Sequence, residues 1–246
     1  MTKDYHAIYH RQPRQYEALI QREDYQGNLL PALLEVTPLH GKVVVELGCG
    51  TGRFMPKLAQ LSEAVFAFDI SPAMLELARP KLERLGKQNW RLAVADHRNL
   101  PIPNALADVI IAGWSICHLV DDHPSTWRNE LKRVFAEVRR VLRPDGVVAI
   151  FESLGTGYET PHPPAHLVDY YKALQNELNF SMRWIRTDYL FETPQEAEQL
   201  SRFFFGDNLA EKVAGQNLRV LPECTGLWWS NDCSNQAFHP GAQPEG

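Results

Sequence analysis

Three glycines spaced two apart, Gly48, Gly50 and Gly52, follow directly on the apolar run Val43 to Leu47. Without a Cβ the backbone turns tightly there and brings amide N–H groups close to a ligand at the start of a helix. Asp69 closes the next apolar run twenty-one residues after Gly48, a spacing at which a carboxylate can accept both hydroxyl protons of a ribose. The competing reading makes Asp69 a solvated cap of the helix that starts at Ser71. Asp96 closes a third run within Ala95-Asp96-His97-Arg98, and a fourth leads into Gly113-Trp114-Ser115-Ile116-Cys117-His118. His118 is a candidate general base, because a neutral imidazole can take a proton from a hydroxyl, thiol or amine; the alternative is a packed structural histidine.

Such groups work together only if their strand ends meet at one edge. Five runs rich in Val, Ile and Phe read as buried strands: Val43 to Leu47, Ala64 to Phe68, Trp90 to Ala95, Val109 to Ala112 and Val147 to Phe151. Ser71-Pro72 opens a helix over Ala73 to Leu85 that Gly86 ends. Apolar residues at 127, 131, 134, 138, 141 and 142 have a helical period, and Arg143-Pro144-Asp145-Gly146 stops it. This alternation predicts a doubly wound α/β domain with a mainly parallel sheet. After Phe151 the pattern changes. Residues 152–164 read as loop, Ala165 to Leu178 as helix and Arg183 to Phe191 as strand. Thr193-Pro194-Gln195-Glu196 reads as a capping box opening a helix toward Phe205, Asp207 as the cap of another ending near Gly215, and Arg219 to Trp229 as the last strand. Two late strands suit an antiparallel addition to the sheet.

The frame of the glycines separates two ligand classes. A dinucleotide fingerprint needs its third glycine at position 53, where Arg53 stands, which argues against an NAD-linked oxidoreductase. Gly-x-Gly-x-Gly preceded by Glu46, with Asp69 and Asp96 at successive strand ends, instead resembles the class I S-adenosylmethionine-dependent methyltransferases, from about Tyr16 to Trp229. The resemblance implies a doubly wound, mainly parallel seven-stranded sheet with an antiparallel last strand. It also implies methyl transfer from S-adenosylmethionine to a nucleophilic atom of a small-molecule acceptor by direct displacement, with S-adenosylhomocysteine as product. By the same resemblance Gly48, Cys49, Gly50 and Gly52 contact the methionine part of the cofactor and Glu46 its ammonium, while Asp69 takes the ribose and Asp96 with His97 the adenine. Ile70 and Met74 would lie against the adenine face, and Trp114 and Ser115 where cofactor and acceptor meet. Tyr16, thirty-two residues before Gly48, stands where the family often has an aromatic that touches the cofactor; anchoring of a terminal helix is the other reading. Members that methylate nucleobases or amides carry Asn/Asp-Pro-Pro-aromatic after the fourth strand, and this chain does not.

Position alone makes Tyr9, Tyr25, Glu152, Tyr158 and Trp229 candidate substrate contacts. Residues 1–40 read as a helical lid or cap, 41–230 as the methyltransferase domain with acceptor-pocket insertions after 152, and 231–246 as a disordered tail. The four cysteines have no metal spacing, and Pro163-Pro164 breaks the helical geometry that His162 and His166 would need, so no metal is expected. A net charge of -5, with no basic run longer than Arg139-Arg140, argues against nucleic acid. No apolar stretch approaches the roughly 20 residues of a membrane span, and the first residues lack a signal-peptide centre. The expectation is a cytoplasmic protein, monomer or homodimer, with a small-molecule acceptor. The alternative is a non-catalytic scaffold or sensor that binds the same cofactor.

Overall fold

Consecutive rather than alternating apolar residues make strands that are covered on both faces. The computed structural model describes residues 5–232. In it β1 (Val43–Leu47) is buried at every position and lies at the centre of a seven-stranded sheet. The other strands are β2 (Ala64–Asp69), β3 (Trp90–Val94), β4 (Ala107–Gly113), β5 (Leu142–Thr156), β6 (Ser181–Arg186) and β9 (Glu223–Ser230), in the order β3-β2-β1-β4-β5-β9-β6; a separate two-stranded sheet pairs β7 (Tyr189–Leu190) with β8 (Val220–Leu221). The first five are parallel, and β9 runs antiparallel between β5 and β6. The sheet is thus the doubly wound, mainly parallel one expected, with its last strand antiparallel.

Helices α1 (Tyr5–Arg11), α2 (Pro13–Ile20), α3 (Leu29–Val36), α4 (Met55–Leu61) and α5 (Pro72–Glu83) precede β3, and α6 (His118–Asp122) and α7 (Trp127–Val141) separate β4 from β5. Later come α8 (Val168–Lys172), α9 (Pro194–Phe204) and α10 (Asp207–Gly215). On one face of the sheet Leu33, Met55, Leu58 and Leu82 pack on Val44, Val65 and Ile111; on the other Leu131, Val134, Phe135 and Val138 pack on Val45, Ile110 and Ile150. Alternate residues of each strand therefore serve opposite cores.

Register positions the site. Leu47 lies beside Phe68 and Ala112, so Gly48, Asp69 and Gly113 leave the sheet at neighbouring points of its carboxyl edge. Cys49 N donates to Phe68 O at 2.9 Å and Trp114 N to Phe151 O at 2.8 Å, which holds the emerging loops against their neighbours.

The observed elements depart from expectation where tertiary partners intervene. The Arg143–Gly146 turn becomes an irregularity inside β5, whose pairing jumps from Leu142 to Val147 opposite Ala107 and Val109. β5 also continues to Thr156 rather than ending at Phe151, because β9 pairs with it from Val148 through Thr156. Arg183 to Phe191 splits into β6 and β7, with Arg186 and Asp188 ion-paired at 2.7 Å across the break. The 165–178 stretch is helical but passes from 3-10 through α to π geometry. Thr193 caps α9 as expected, accepting from Glu196 N at 3.1 Å, whereas the Ser71 hydroxyl donates to Tyr9 O at 3.2 Å and makes no cap bond. The tail from 233 onward lies outside the described residues. Among the described residues no helix is long and apolar enough to cross a membrane.

Phe135 on α7 is 1% exposed and meets Phe180 edge-on at 5.7 Å. Phe135→Ala is expected to cost about 3–5 kcal/mol in urea unfolding with little change in the denaturant slope.

Candidate active site

The three glycines adopt left-handed backbone, with φ of 67°, 53° and 84° at Gly48, Gly50 and Gly52. At Gly48 there is no room for more: a Cβ would lie 2.4 Å from Ser115 Cβ. The turn is tied to β2 by Asp69, whose Oδ2 accepts from Gly50 N and whose Oδ1 accepts from Ser71 N, both at 2.8 Å. Burial raises the Asp69 pKa, and the two backbone N–H bonds oppose that rise. Gly52 does not reach the cavity. It closes the turn through Gly52 N to Cys49 O at 2.9 Å and packs against Ala78 of α5.

Above this turn lies a cavity of about 900 Å³, counting the part open to solvent, and Tyr9, Tyr16, Gly48, Gly50, Asp69, Ile70, Met74, Asp96, His97, Trp114, Ser115 and His118 line it. A second recess of about 280 Å³ shares Tyr16, Gly48, Gly50, Gly113 and Trp114 with it and ends on Glu46, Cys49, Thr51 and Arg53. Glu46 is 2% exposed, and its Oε2, Thr51 Oγ1 and Arg53 Nη1 are buried without a hydrogen-bond partner. Burial, with the Asp69 charge adding and Arg53 opposing, raises the Glu46 carboxyl to about 8. Arg53 Nη2 holds Glu23 at 2.7 Å, and the guanidinium lies 4.1 Å over the Trp114 ring. Trp114 itself has φ of 50°, a strained value for a side chain of that size. Such unpaired buried groups need complements, and an amino-acid end supplies both: an ammonium for Glu46 and a carboxylate for Arg53.

At the other end Asp96 is already engaged. Arg98 grips it through Nε at 2.8 Å and Nη2 at 2.5 Å, holding its pKa down to about 2, and turns Nη1 to Glu130. Burial pushes His97 down to about 4 and lowers His118 from its ordinary value, so both imidazoles are neutral at pH 7. His118 Nε2 meets the Tyr9 hydroxyl at 3.0 Å, and the Tyr5 ring packs against it at 5.7 Å.

The structure thus gathers every candidate cofactor residue except Gly52 around the two connected recesses, together with His118 and Tyr9. It does not bring in the other substrate candidates. Tyr25 is 45% exposed in the loop before α3; Tyr158 is 44% exposed and stacks on His162; Trp229 is paired within β9 between β5 and β6. Glu152 is fully buried, accepting from Cys117 N and Tyr170 Oη, both at 3.1 Å, and burial raises it to about 7. Glu152 and Tyr158 follow the fifth apolar run in sequence, but the longer β5 carries its carboxyl end beyond the cavity. Arg53, Arg98, His6, His10, Asp122 and His123 line the recesses without a signal in the sequence reading, where Arg53 counts only as the residue that replaces a glycine. Among the described residues no three His, Cys, Asp or Glu side chains are grouped to hold a metal.

This sheet order, with a glycine turn after β1 and acidic residues ending β2 and following β3, agrees with what residues 45–150 match: a family described as a methyltransferase domain. The chain carries a class I S-adenosylmethionine-dependent methyltransferase domain, a class whose cofactor is S-adenosylmethionine and whose cofactor product is S-adenosylhomocysteine. It is 33% identical over 144 residues to a malonyl-[acyl-carrier protein] O-methyltransferase of Methylovorus sp., covering 56% of this chain and 45% of that one. With a demethylmenaquinone methyltransferase of Tropheryma whipplei it shares 27% over 132 residues, 54% and 47% of the two chains. The chain spans about half the length of these curated relatives. Among solved structures, a SAM dependent methyltransferase from Aquifex aeolicus superposes with a TM-score of 0.54 at 16% identity, over 92% of this chain and 93% of that one.

Two substitutions test the turn. Gly27 also has positive φ, 76°, but open space around it, so Gly27→Ala should cost about 1–2 kcal/mol of backbone strain. Gly48→Ala must in addition displace Ser115, so it should lose more stability in urea and bind S-adenosylhomocysteine far more weakly; equal effects at the two glycines would contradict the close-approach role. A second test uses pH. The Glu46 pKa in the folded protein, about 8, lies above its ordinary value of 4.5, so its contribution to ligand-free stability is complete below 4.5 and is lost as pH rises through about 8. Glu46→Gln lacks that loss, and its stability relative to the native chain should improve with pH across this window, by at most about 1.4 kcal/mol per pH unit.

Proposed function

We propose that this protein transfers the methyl group of S-adenosylmethionine to a small-molecule acceptor by direct displacement. The observation that carries the reading is the unpaired buried set at the closed end of the recess, Glu46 Oε2, Thr51 Oγ1 and Arg53 Nη1. Glu46 takes the ammonium, Arg53 the carboxylate, and Asp69 the ribose hydroxyls with the lone pairs left after its two backbone bonds. Ile70, Met74, Asp96 and His97 hold the adenine. When bound, the cofactor supplies a methyl carbon activated by its sulfonium. The residues then act mainly by placement: Tyr16, Trp114 and Ser115 confine the reacting end, and α1 and α2 cover it as a lid, excluding water from an in-line approach. The acceptor enters between Tyr9, His118 and the mouth formed by His6 and Asp122. A catalytic role, rather than cofactor sensing, is supported by this open region beside the reacting end.

Calorimetry with S-adenosylhomocysteine and 5′-methylthioadenosine, which lacks the amino-acid end, tests the assignment. The first should bind at least about tenfold more tightly, roughly the worth of one charge-assisted contact. Arg53→Met and Glu46→Gln should each narrow that gap. Equal affinities in the native chain would sink the assignment. Cofactor binding without methyl transfer to any acceptor would favour a scaffold or sensor.

A further inference from the structure

On the reading above, we propose that the acceptor is an uncharged hydroxyaromatic compound whose O–H proton passes through the Tyr9 hydroxyl to His118 as the oxygen takes the methyl group.

Three features of the acceptor end select this class. First, an anionic acceptor finds no free permanent cation. Among the described residues lining the larger cavity, Arg98 is the one Lys or Arg, and it is spent on Asp96 and Glu130. The same lining carries Asp69, Asp96 and Asp122, so a carboxylate or phosphate would enter a region of surplus negative charge. Secondly, a cationic acceptor finds its best surface taken. The Trp114 face, the strongest cation-binding ring type, already carries Arg53 at 4.1 Å, and Phe54 and Phe151 stack around the indole. The faces of Tyr5, Tyr9 and Tyr16 are turned on one another, on His118 and on Phe204. What remains is a space bordered by Tyr9, Tyr16, Trp114 and Met74 with their ring faces already engaged, so ring edges and apolar contact meet an acceptor there, which suits a neutral aromatic.

Thirdly, the polar group at that end is a proton acceptor for a hydroxyl. Tyr9 Oη lies 3.0 Å from His118 Nε2, so with the imidazole proton on Nδ1 the phenol donates to Nε2 and its oxygen is open to a second donor. The acceptor oxygen forms a bond to the methyl carbon, the carbon–sulfur bond breaks and its electron pair stays on sulfur. The acceptor proton moves to Tyr9 Oη while the Tyr9 proton moves to His118 Nε2, leaving an imidazolium and S-adenosylhomocysteine.

The test uses three shape-matched probes, 2-naphthol, 2-naphthoic acid and 2-naphthylmethylamine, with S-adenosylmethionine and mass detection of methylated product. We expect kcat/KM for 2-naphthol to exceed the other two by about tenfold or more. A preference for the acid or the amine overturns the proposal, and so does the absence of product from all three in protein that calorimetry shows to bind S-adenosylhomocysteine. Failure of that binding would instead strike the cofactor reading beneath it. His118→Gln and Tyr9→Phe should each lower kcat for 2-naphthol about a hundredfold, the usual scale of a general base. For 4-nitrophenol, already ionised at about pH 8 and needing no base, the loss in each variant should be at least about tenfold smaller than for 2-naphthol. Equal loss on the two phenols would overturn the proton route.

Discussion

The rest of the site hangs on the Asp69 carboxylate. Each of its oxygens accepts one backbone N–H, Gly50 from the turn after β1 and Ser71 from the start of α5. Two loops that leave neighbouring parallel strands are thereby fixed against each other by charge-assisted bonds. Parallel strands cannot be joined by a short turn, so their carboxyl ends are natural places for loops to diverge and leave a crevice. Here one side chain keeps that crevice at a set width. Burial makes the carboxylate costly, and the two N–H donors recover much of that cost, which is why the group can remain inside.

Electrostatic imbalance follows from what is buried next to it. Glu23, Glu46 and Glu223 all lie inside with raised pKa values, each chiefly through burial, and Arg53 is the cation set among them. Burial works against the charge on Arg53, but Glu23 beside it strengthens its hold on the proton. Arg53 neutralises Glu23; Glu46 and Glu223, at about 8 each, keep their protons near neutral pH. A positively charged ligand group at Glu46 would therefore displace a proton, and a negatively charged one would reach the unpaired face of Arg53. The same ion pair anchors the segment after α2, so the chain that covers the cavity is tied to the residue at its closed end.

Legibility in the sequence followed the range of the contacts. The glycine turn, Asp69, Asp96 and the strand runs are local signals, set by spacing along β1 to β4, and they could be read because one strand and its loop contain the whole pattern. The split of β6 from β7, the extension of β5 and the displacement of Glu152, Tyr158 and Trp229 from the cavity come from pairing with β9, more than sixty residues away from β5 in sequence. Ser71 shows the same competition at one residue: its cap signal is sound, but the Tyr9 carbonyl offers its hydroxyl another acceptor. Propensity names what a residue can do alone, and tertiary neighbours decide which option it takes.

The acceptor side was least legible because it is assembled across the greatest distances. Tyr9 and His118 are 109 residues apart, and His6 and Asp122 are 116 apart. His118 and Tyr9 can be named from their own positions, but no spacing marks them as partners, and none marks His6 or Asp122. Their meeting depends on α1, whose seven residues bury one side chain, Ile8, and so contribute little core of their own. A helix this short is held by what it touches rather than by its own turns. Its contacts with Ser71, His118 and Asp122 all fall at the mouth of the cavity, so a molecule entering there must compete with them. The element least determined by local sequence thus borders the mouth of the cavity, through His6, Tyr9 and His10, while the turn and strand ends beneath it are set by local signals.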